Sequence, residues 1–445
     1  MRNYSFLFVV FLGLTLVLYP EETSVLSERR EILKFGTEGE ILDLIKKLQE
    51  ERNTSLQEEI VQLLQARISS KLTQNIFEYL RVLEVNDPRA EQTALGILET
   101  HEEQDQDLLL SVLGYLGLPS VPAHPEAVLP LLEVQRRRVV SAAVRYLGAK
   151  GTEEVARRLI ERFKEEDADE EIRCSILLAL GELRSPVSVD FLQSILDNPD
   201  ERIVYRRYAC DSLGKIAARE AYPSIRKALE DSDSLMRAYA VSAIGAYPDP
   251  EVEELLLFAL RDDFARVRAF AAEKLGNRKA ESAVDILIYR SRKDADRQVR
   301  TASLKALAEI GTEKAVTFLG DLLLDEKASQ ELRIETIRLL LTYHPEKGKV
   351  PLKTLIEREW TKDNSRLLDE ACKQLSLQIL SGYEEFYLRM LDHRSFIIRI
   401  YGIRGIGRNQ ILQEKTRIER IAKEGATAQE RKEAHAVLEQ WGSSP

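Results

Sequence analysis

From about residue 30 onward, apolar positions recur at helical spacing and never alternate in the two-residue rhythm of a strand. The pattern therefore predicts helix after helix. Short turn clusters break the run, among them Asn86-Asp87-Pro88, Asp197-Asn198-Pro199-Asp200, Tyr247-Pro248-Asp249-Pro250 and Tyr343-His344-Pro345. The helices come in pairs: a first helix such as 252–260 leads through a tight acidic turn to a second helix such as 267–275. Counted from a recurring arginine in the second helix, apolar or small residues stand one before it and three, four and seven after it. For Arg237 these are Met236, Ala240, Val241 and Ile244; for Arg268 they are Val267, Ala271, Ala272 and Leu275. Such a stripe is the face expected to pack inward. The glycine eight after the arginine is expected to end the helix, supplying a left-handed residue where the chain turns.

The phrase repeats along the chain, with glycines at 148, 181, 214, 245 and 276 spaced 33, 33, 31 and 31 residues apart. Two short helices cannot cover their own apolar faces, so each pair must stack on its neighbour, and a fixed period of this size predicts an all-α solenoid. Register is clear over 136–344 and again over 382–440. It blurs over 345–380, where the glycine is missing but Trp360, Cys372 and Leu375 keep the segment hydrophobic. Segment 28–117 reads as divergent N-terminal helical repeats, and 118–440 as the regular solenoid closed by a polar capping helix. The Pro-rich stretch 117–125 is the one connection of that kind.

Composition narrows the chemistry. A net charge of −10 opposes attachment to phosphate backbones, so no nucleic-acid partner is expected. Cys174, Cys210 and Cys372 form neither a CxxC nor a metal-ligand spacing and read as buried thiols. The N-terminus stands apart: Arg2 precedes an apolar run from Phe6 to Tyr19, which is short for a span of roughly 20 residues and suits the core of a signal peptide. Residues 1–27 are thus expected to be a signal peptide or N-terminal signal anchor, with the remainder exported to a bacterial periplasm or the outer face of the inner membrane. Membrane contact is expected only through this segment, if it is uncleaved.

The aliphatic-Arg…Leu-Gly phrase, with an acid in the preceding turn, resembles HEAT repeats of the short class named after phycobilisome lyase subunits. The acid and arginine are six apart in Asp167/Arg173, Asp200/Arg206, Asp231/Arg237, Asp262/Arg268 and Asp294/Arg300. The resemblance implies a right-handed α-solenoid (superhelix) of stacked antiparallel helix pairs, in which such pairs form a structural ladder tying the turn to the second helix. A turn oxygen near a helix start needs a donor, and Arg supplies five. The class also includes enzymes. A chromophore lyase finds no support beyond the repeat itself, and a di-iron hydroxylase would need several His-Glu dyads where this chain has only His101-Glu102. No GxSxG, P-loop or HExxH pattern occurs, so no catalytic, cofactor or metal residues are expected.

What remains is surface. In HEAT-type solenoids the second helices line the concave, binding side. Two positions after the arginine stand Tyr208, Tyr239, Phe270 and, further on, Tyr401. These rings either anchor a protein partner or wedge between neighbouring helices. Five positions after it the residues run Asp211, Ser242, Glu273, Lys305, Arg338 and Arg404, a file passing from acidic to basic that either orients an elongated partner or is a solvated face. The expected function is a non-enzymatic protein-binding scaffold or assembly factor of the bacterial envelope. The alternatives are a chromophore-lyase-like or other enzyme subunit, and a membrane-tethered peripheral envelope protein.

Overall fold

The computed structural model describes residues 20–66, 68–165 and 168–442, and all regular structure among them is helical. Contacts group the chain into two compact units, one ending at Ser212 and the other starting at Leu213. The first holds α1 (Pro20–Phe35), α2 (Glu38–Glu50), α3 (Gln57–Leu63), α4 (Ser70–Val82), α5 (Pro88–Glu99), α6 (Gln106–Leu116), α7 (Pro125–Val128), α8 (Arg137–Lys150), α9 (Glu153–Lys164), α10 (Glu170–Leu183) and α11 (Val189–Asp197). Helix α12 (Ile203–Ile216) carries the boundary. The second unit continues with α13 (Tyr222–Ala228), α14 (Ser234–Ile244), α15 (Glu251–Ala259), α16 (Ala265–Asn277), α17 (Val284–Lys293), α18 (Arg297–Ile310), α19 (Glu313–Leu324) and α20 (Gln330–Tyr343). It ends with α21 (Pro345–Glu359), α22 (Arg366–Ser376), α23 (Glu384–Met390), α24 (Phe396–Arg408), α25 (Lys415–Glu424) and α26 (Ala428–Gly442).

Each unit is a HEAT-like stack of antiparallel helix pairs. In the first, α2, α4, α6, α8 and α10 pack each on the next; in the second, α14, α16, α18, α20, α22, α24 and α26 do the same, each with its own first helix behind it. The stripe counted from the arginine is the reason. Met236, Ala240, Val241 and Ile244, and likewise Val267, Ala271, Ala272 and Leu275, are all buried. Covering one large aliphatic side chain is worth about 1.5–3 kcal/mol, and a lone hairpin has no second layer to provide that cover. Side chains close the helix starts: Asp233 accepts the Met236 N–H at 2.7 Å and Asp296 the Gln298 N–H at 2.7 Å.

The repeat glycines do not act as expected. Left-handed backbone is found instead at Arg184, Ala217, Lys279 and Gln410, each three residues after a repeat glycine, while Gly245 is right-handed helical at φ −60°. The glycines are needed for helix approach. A Cβ on Gly214 would stand 2.5 Å from both Cα and Cβ of Ala243, and one on Gly276 would stand 2.7 Å from Cα of Ala306. Position +8 of one second helix thus meets position +6 of the next, and only a missing side chain lets the two backbones come that close.

The expected membrane contact through an N-terminal anchor is corrected. Among the described residues no helix is long and apolar enough to cross a membrane. The apolar run Phe6–Tyr19 lies outside the described residues. Helix α1, which follows it, is polar: Arg29 grips the Glu51 carboxylate with two hydrogen bonds of 2.8 and 2.9 Å, and Arg30 donates to Glu59 at 2.7 Å. Those ion pairs hold α1 against the helices that follow.

A matched pair of substitutions tests the glycine assignment. Gly214→Ala drives a methyl into the α14 backbone and is expected to cost about 1–3 kcal/mol. Gly96→Ala, in α5 with nothing within 4 Å of the added Cβ, is expected to stabilise by about 0.5–1 kcal/mol. Urea midpoints of the two variants check the signs; equal effects would remove the close-approach account.

Candidate functional site

The second-helix face is built on its turns. In the turn before α16, Asp262 folds back so that its Oδ1 accepts the Phe264 N–H at 2.8 Å. Asp294 accepts the Asp296 N–H at 3.0 Å, and Asp231 the Asp233 N–H at 2.8 Å. The arginine six residues on then spans two turns. Arg268 Nη1 donates to the carbonyls of Asp262 and Asp263 at 2.8 and 2.9 Å, while Nε and Nη2 grip the Asp294 carboxylate of the following turn at 2.8 and 2.7 Å. Arg237 repeats this with the Asp231 carbonyl at 2.9 Å and the Asp262 carboxylate at 2.8 and 3.0 Å. The six-residue partner therefore contributes its carbonyl, and the carboxylate comes from the next repeat. At the C-terminal end Arg399 takes the carbonyls of His393 and Arg394 and the buried carboxylate of Glu430.

A second class of turn explains the change in spacing. Arg173, Arg206 and Arg333 use Nε on the carbonyl ten residues back: Phe163 at 3.1 Å, Leu196 at 3.0 Å and Leu323 at 2.9 Å. Before Arg206 the turn oxygen that accepts the Asp200 N–H, at 3.1 Å, belongs to Asn198, eight before the arginine, so Asp200 does not hold the place given to it by spacing. Asp325, eight before Arg333, likewise accepts the Lys327 N–H at 2.9 Å. The glycine period falls from 33 to 31 where the turn shortens by those two residues. Asp167 lies outside the described residues. Arg300 has the carbonyl arm, to Asp294 and Ala295 at 2.8 and 2.9 Å, but no carboxylate partner among the described residues.

Burial disfavours charge on Asp294, yet the Arg268 guanidinium, the Asp296 N–H and nearby Arg290 outweigh it and hold the carboxyl below its ordinary range. Its side chain is fully buried. Charge on both partners is thus retained through a geometry that satisfies nearly every donor and lone pair.

The ring positions are half-buried: Tyr208, Tyr239, Phe270 and Tyr401 each keep part of the ring in solvent. The exposed Arg266 guanidinium lies 5.8 Å from the Tyr239 ring centroid and 5.3 Å from that of Phe270, so these two rings share one cation. Burial raises the Tyr401 hydroxyl pKa, with Asp369 adding to it.

The charge file proves to be interleaved with the rings. Arg338, five after Arg333, donates to Glu370 on α22 at 2.7 Å, and Arg404, five after Arg399, to Glu433 on α26 at 2.9 Å. Glu433 stands two after Arg431, so position +5 of one helix neighbours position +2 of the next. Lys305 pairs with Glu309 of its own helix at 3.5 Å, and Glu273 approaches Lys274 at 3.6 Å. Asp211 is half-buried. The structure brings Tyr239 and Phe270 together and ties Arg338 and Arg404 to the next helix; it does not gather the ring and charge positions of the second unit into one site.

Sequence reasoning missed Glu370, Glu430 and Glu433, which lie in degenerate repeats. It also missed a pocket of about 740 Å³ in the first unit, on the α6 and α8 face. The available signal was Arg145, five after Val140, where the arginine of the phrase is absent. Burial pushes the Cys174 thiol up to about 11 and raises Cys372 as well. His101 Nδ1 is within 2.9 Å of the Leu98 carbonyl, and no group of three or more His, Cys, Asp or Glu among the described residues is placed to hold a metal.

Comparison with known proteins agrees with the fold. The family model described as Spirochaete HEAT repeat protein matches residues 33–437. Yeast importin-beta (Kap95p) superposes with a TM-score of 0.54 at 14% identity, over 94% of this chain and 65% of that one. The Kap95:Nup1 complex gives 0.56 at 15% identity, over 95% and 68%. The complex of CpcE and CpcF of phycocyanin lyase from Nostoc is 19% identical over 54% of this chain and 96% of that one, but its TM-score of 0.36 carries no argument for the lyase subclass. No curated protein matches the sequence significantly.

The two arms of the arginine can be separated by mutation. Arg268→Ala leaves the buried Asp294 carboxylate only the Asp296 N–H and Arg290 at 3.2 Å and is expected to cost about 3 kcal/mol. Arg300→Ala loses only carbonyl contacts and is expected to cost about 1–2 kcal/mol. Chemical denaturation of both variants ranks them; an equal loss would show that the carboxylate arm contributes nothing.

Proposed function

We propose a binding role on the premise of kinship: the chain belongs to the family of Spirochaete HEAT repeat proteins. It acts as a non-enzymatic scaffold that holds another protein on the face of its second helices. The observation that carries this reading is the Tyr239–Arg266–Phe270 group. Two half-exposed rings flank a solvent-facing guanidinium on a surface pre-set by the Arg237 and Arg268 bonds beneath. Aromatic and arginine side chains fixed in this way lose little entropy on binding, which is what a protein hot spot requires. The Kap95:Nup1 complex, in which a solenoid of similar fold is held with another protein, supports the same reading.

Tyr239→Ala combined with Phe270→Ala is expected to leave helicity and urea midpoint nearly unchanged while abolishing capture of the partner from native cell extract. If the double variant instead loses several degrees of melting temperature, the rings are packing elements and the binding reading fails.

Export is proposed on the apolar run Phe6–Tyr19 alone. Mass spectrometry of protein purified from its native source is expected to find a mature start near Glu28. An intact Met1 would overturn cleavage, and recovery of the protein with the cytosolic fraction would overturn export.

A further inference from the structure

We propose that the groove between α6 and α8 binds a polypeptide segment in which a carboxylate side chain neighbours an apolar one. The groove exists because side chains are missing from both walls. Helix α6 turns Gly114 and Gly117 toward it, and α8 turns Ser141, Ala142 and Ala149. In the stacking rule above, position +5 of one second helix neighbours position +2 of the next; here those positions are Gly114 and Ala142, so neither helix sends a long side chain across, and Arg81, whose Cδ would stand 2.9 Å from a Cβ on Gly114, forms one edge of the space left between them. The result is a pocket of about 740 Å³, the size of a typical ligand site. Its apolar lining comes from Leu110, Leu113 and Leu118. The buried Ser141 hydroxyl, which also belongs to the lining, has no hydrogen-bond partner among the described residues.

The cations around it decide the ligand. Arg338 and Arg404, at position +5, meet Glu370 and Glu433 on the next helix. Arg145 holds the same position on α8, but the residue two after Arg173 on α10 is Ser175. Arg145 is exposed and has no ion-pair partner among the described residues. Arg138, one wall further along α8, has only an exposed Asp107 at 3.7 Å. The Lys150 ammonium is bound by two carbonyls, Leu118 at 2.8 Å and Val121 at 2.6 Å, with no carboxylate, just behind the loop that closes one end of the groove. Arg81 is neutralised by Glu78 at 2.8 Å.

Two acids, Glu84 and Glu171, also line the pocket. They repel a continuous polyanion such as a nucleic acid, as does the net charge of −10. They leave room for a single carboxylate at Arg145 beside an apolar side chain on the leucines. This inference rests on the reading that the chain binds protein, but it concerns other residues, in the first unit rather than the second.

The test uses the full chain and a short fluorescein-labelled peptide of alternating glutamate and leucine, followed by anisotropy. Saturable binding is expected. It should weaken about tenfold or more when Gln replaces Glu in the peptide or when Arg145→Glu is made, and should survive Arg145→Lys within a few-fold. Because Arg145 is exposed and unpaired, Arg145→Glu should melt as the wild type does. Equal binding of the Gln peptide, unchanged binding by Arg145→Glu, or a site filled by inorganic phosphate but not by the peptide would each overturn the proposal. Partner capture by the Tyr239 and Phe270 face is read separately, so failure here leaves that result standing.

Discussion

A guanidinium carries five N–H donors in a rigid plane, and the second helices use that plane to fasten one turn to the next. At Arg268 one nitrogen satisfies two carbonyls of its own turn, and the other two nitrogens hold a fully buried carboxylate belonging to the following repeat. Those carbonyls lie in the turn between α15 and α16, and the carboxylate also accepts a backbone N–H of the turn before α18, so two successive turns depend on one side chain. Without it the turn carbonyls would lose their side-chain donor, and the buried Asp294 carboxylate would keep only the Asp296 N–H and Arg290 at 3.2 Å. The inward stripe fixes which face of a helix is covered, while the arginine fixes how far one hairpin is displaced along the next.

Glycine completes that registration. The bonds set the relative position of successive second helices, and the resulting approach leaves no space for a side chain at Gly214 or Gly276. Where both are present, as at Arg173/Gly181, Arg206/Gly214, Arg237/Gly245, Arg268/Gly276 and Arg399/Gly407, the arginine and the glycine keep a separation of eight. The left-handed backbone that lets the chain leave the helix falls to ordinary residues such as Arg184 and Lys279, whose side chains can point into solvent.

Helix positions, pairing and the buried stripe were legible because each is a local periodicity that repeats many times. The partner of each arginine was not, since spacing within one turn cannot reveal that the carboxylate reached is Asp294 of the next repeat rather than Asp262 of its own. Asp200 illustrates the same limit: its spacing suits the ladder, yet a turn longer by two residues hands its place to Asn198. On the surface, Tyr239 and Phe270 were visible as a file, but their shared Arg266 depends on side-chain reach along and between helices. The α6–α8 groove left almost no trace, because it consists of small residues whose effect appears only once two helices are placed side by side.

The two turn classes have a consequence for how such a chain tolerates change. One arginine can reach carbonyls five and six residues back or a carbonyl ten residues back, and the stack of second helices persists in both cases. Insertions and deletions of two residues at these bends are therefore absorbed by swinging one side chain, with no adjustment to the buried layer. Repeat length can drift over evolutionary time at the bends while residues inside the helices stay bound to a strict count.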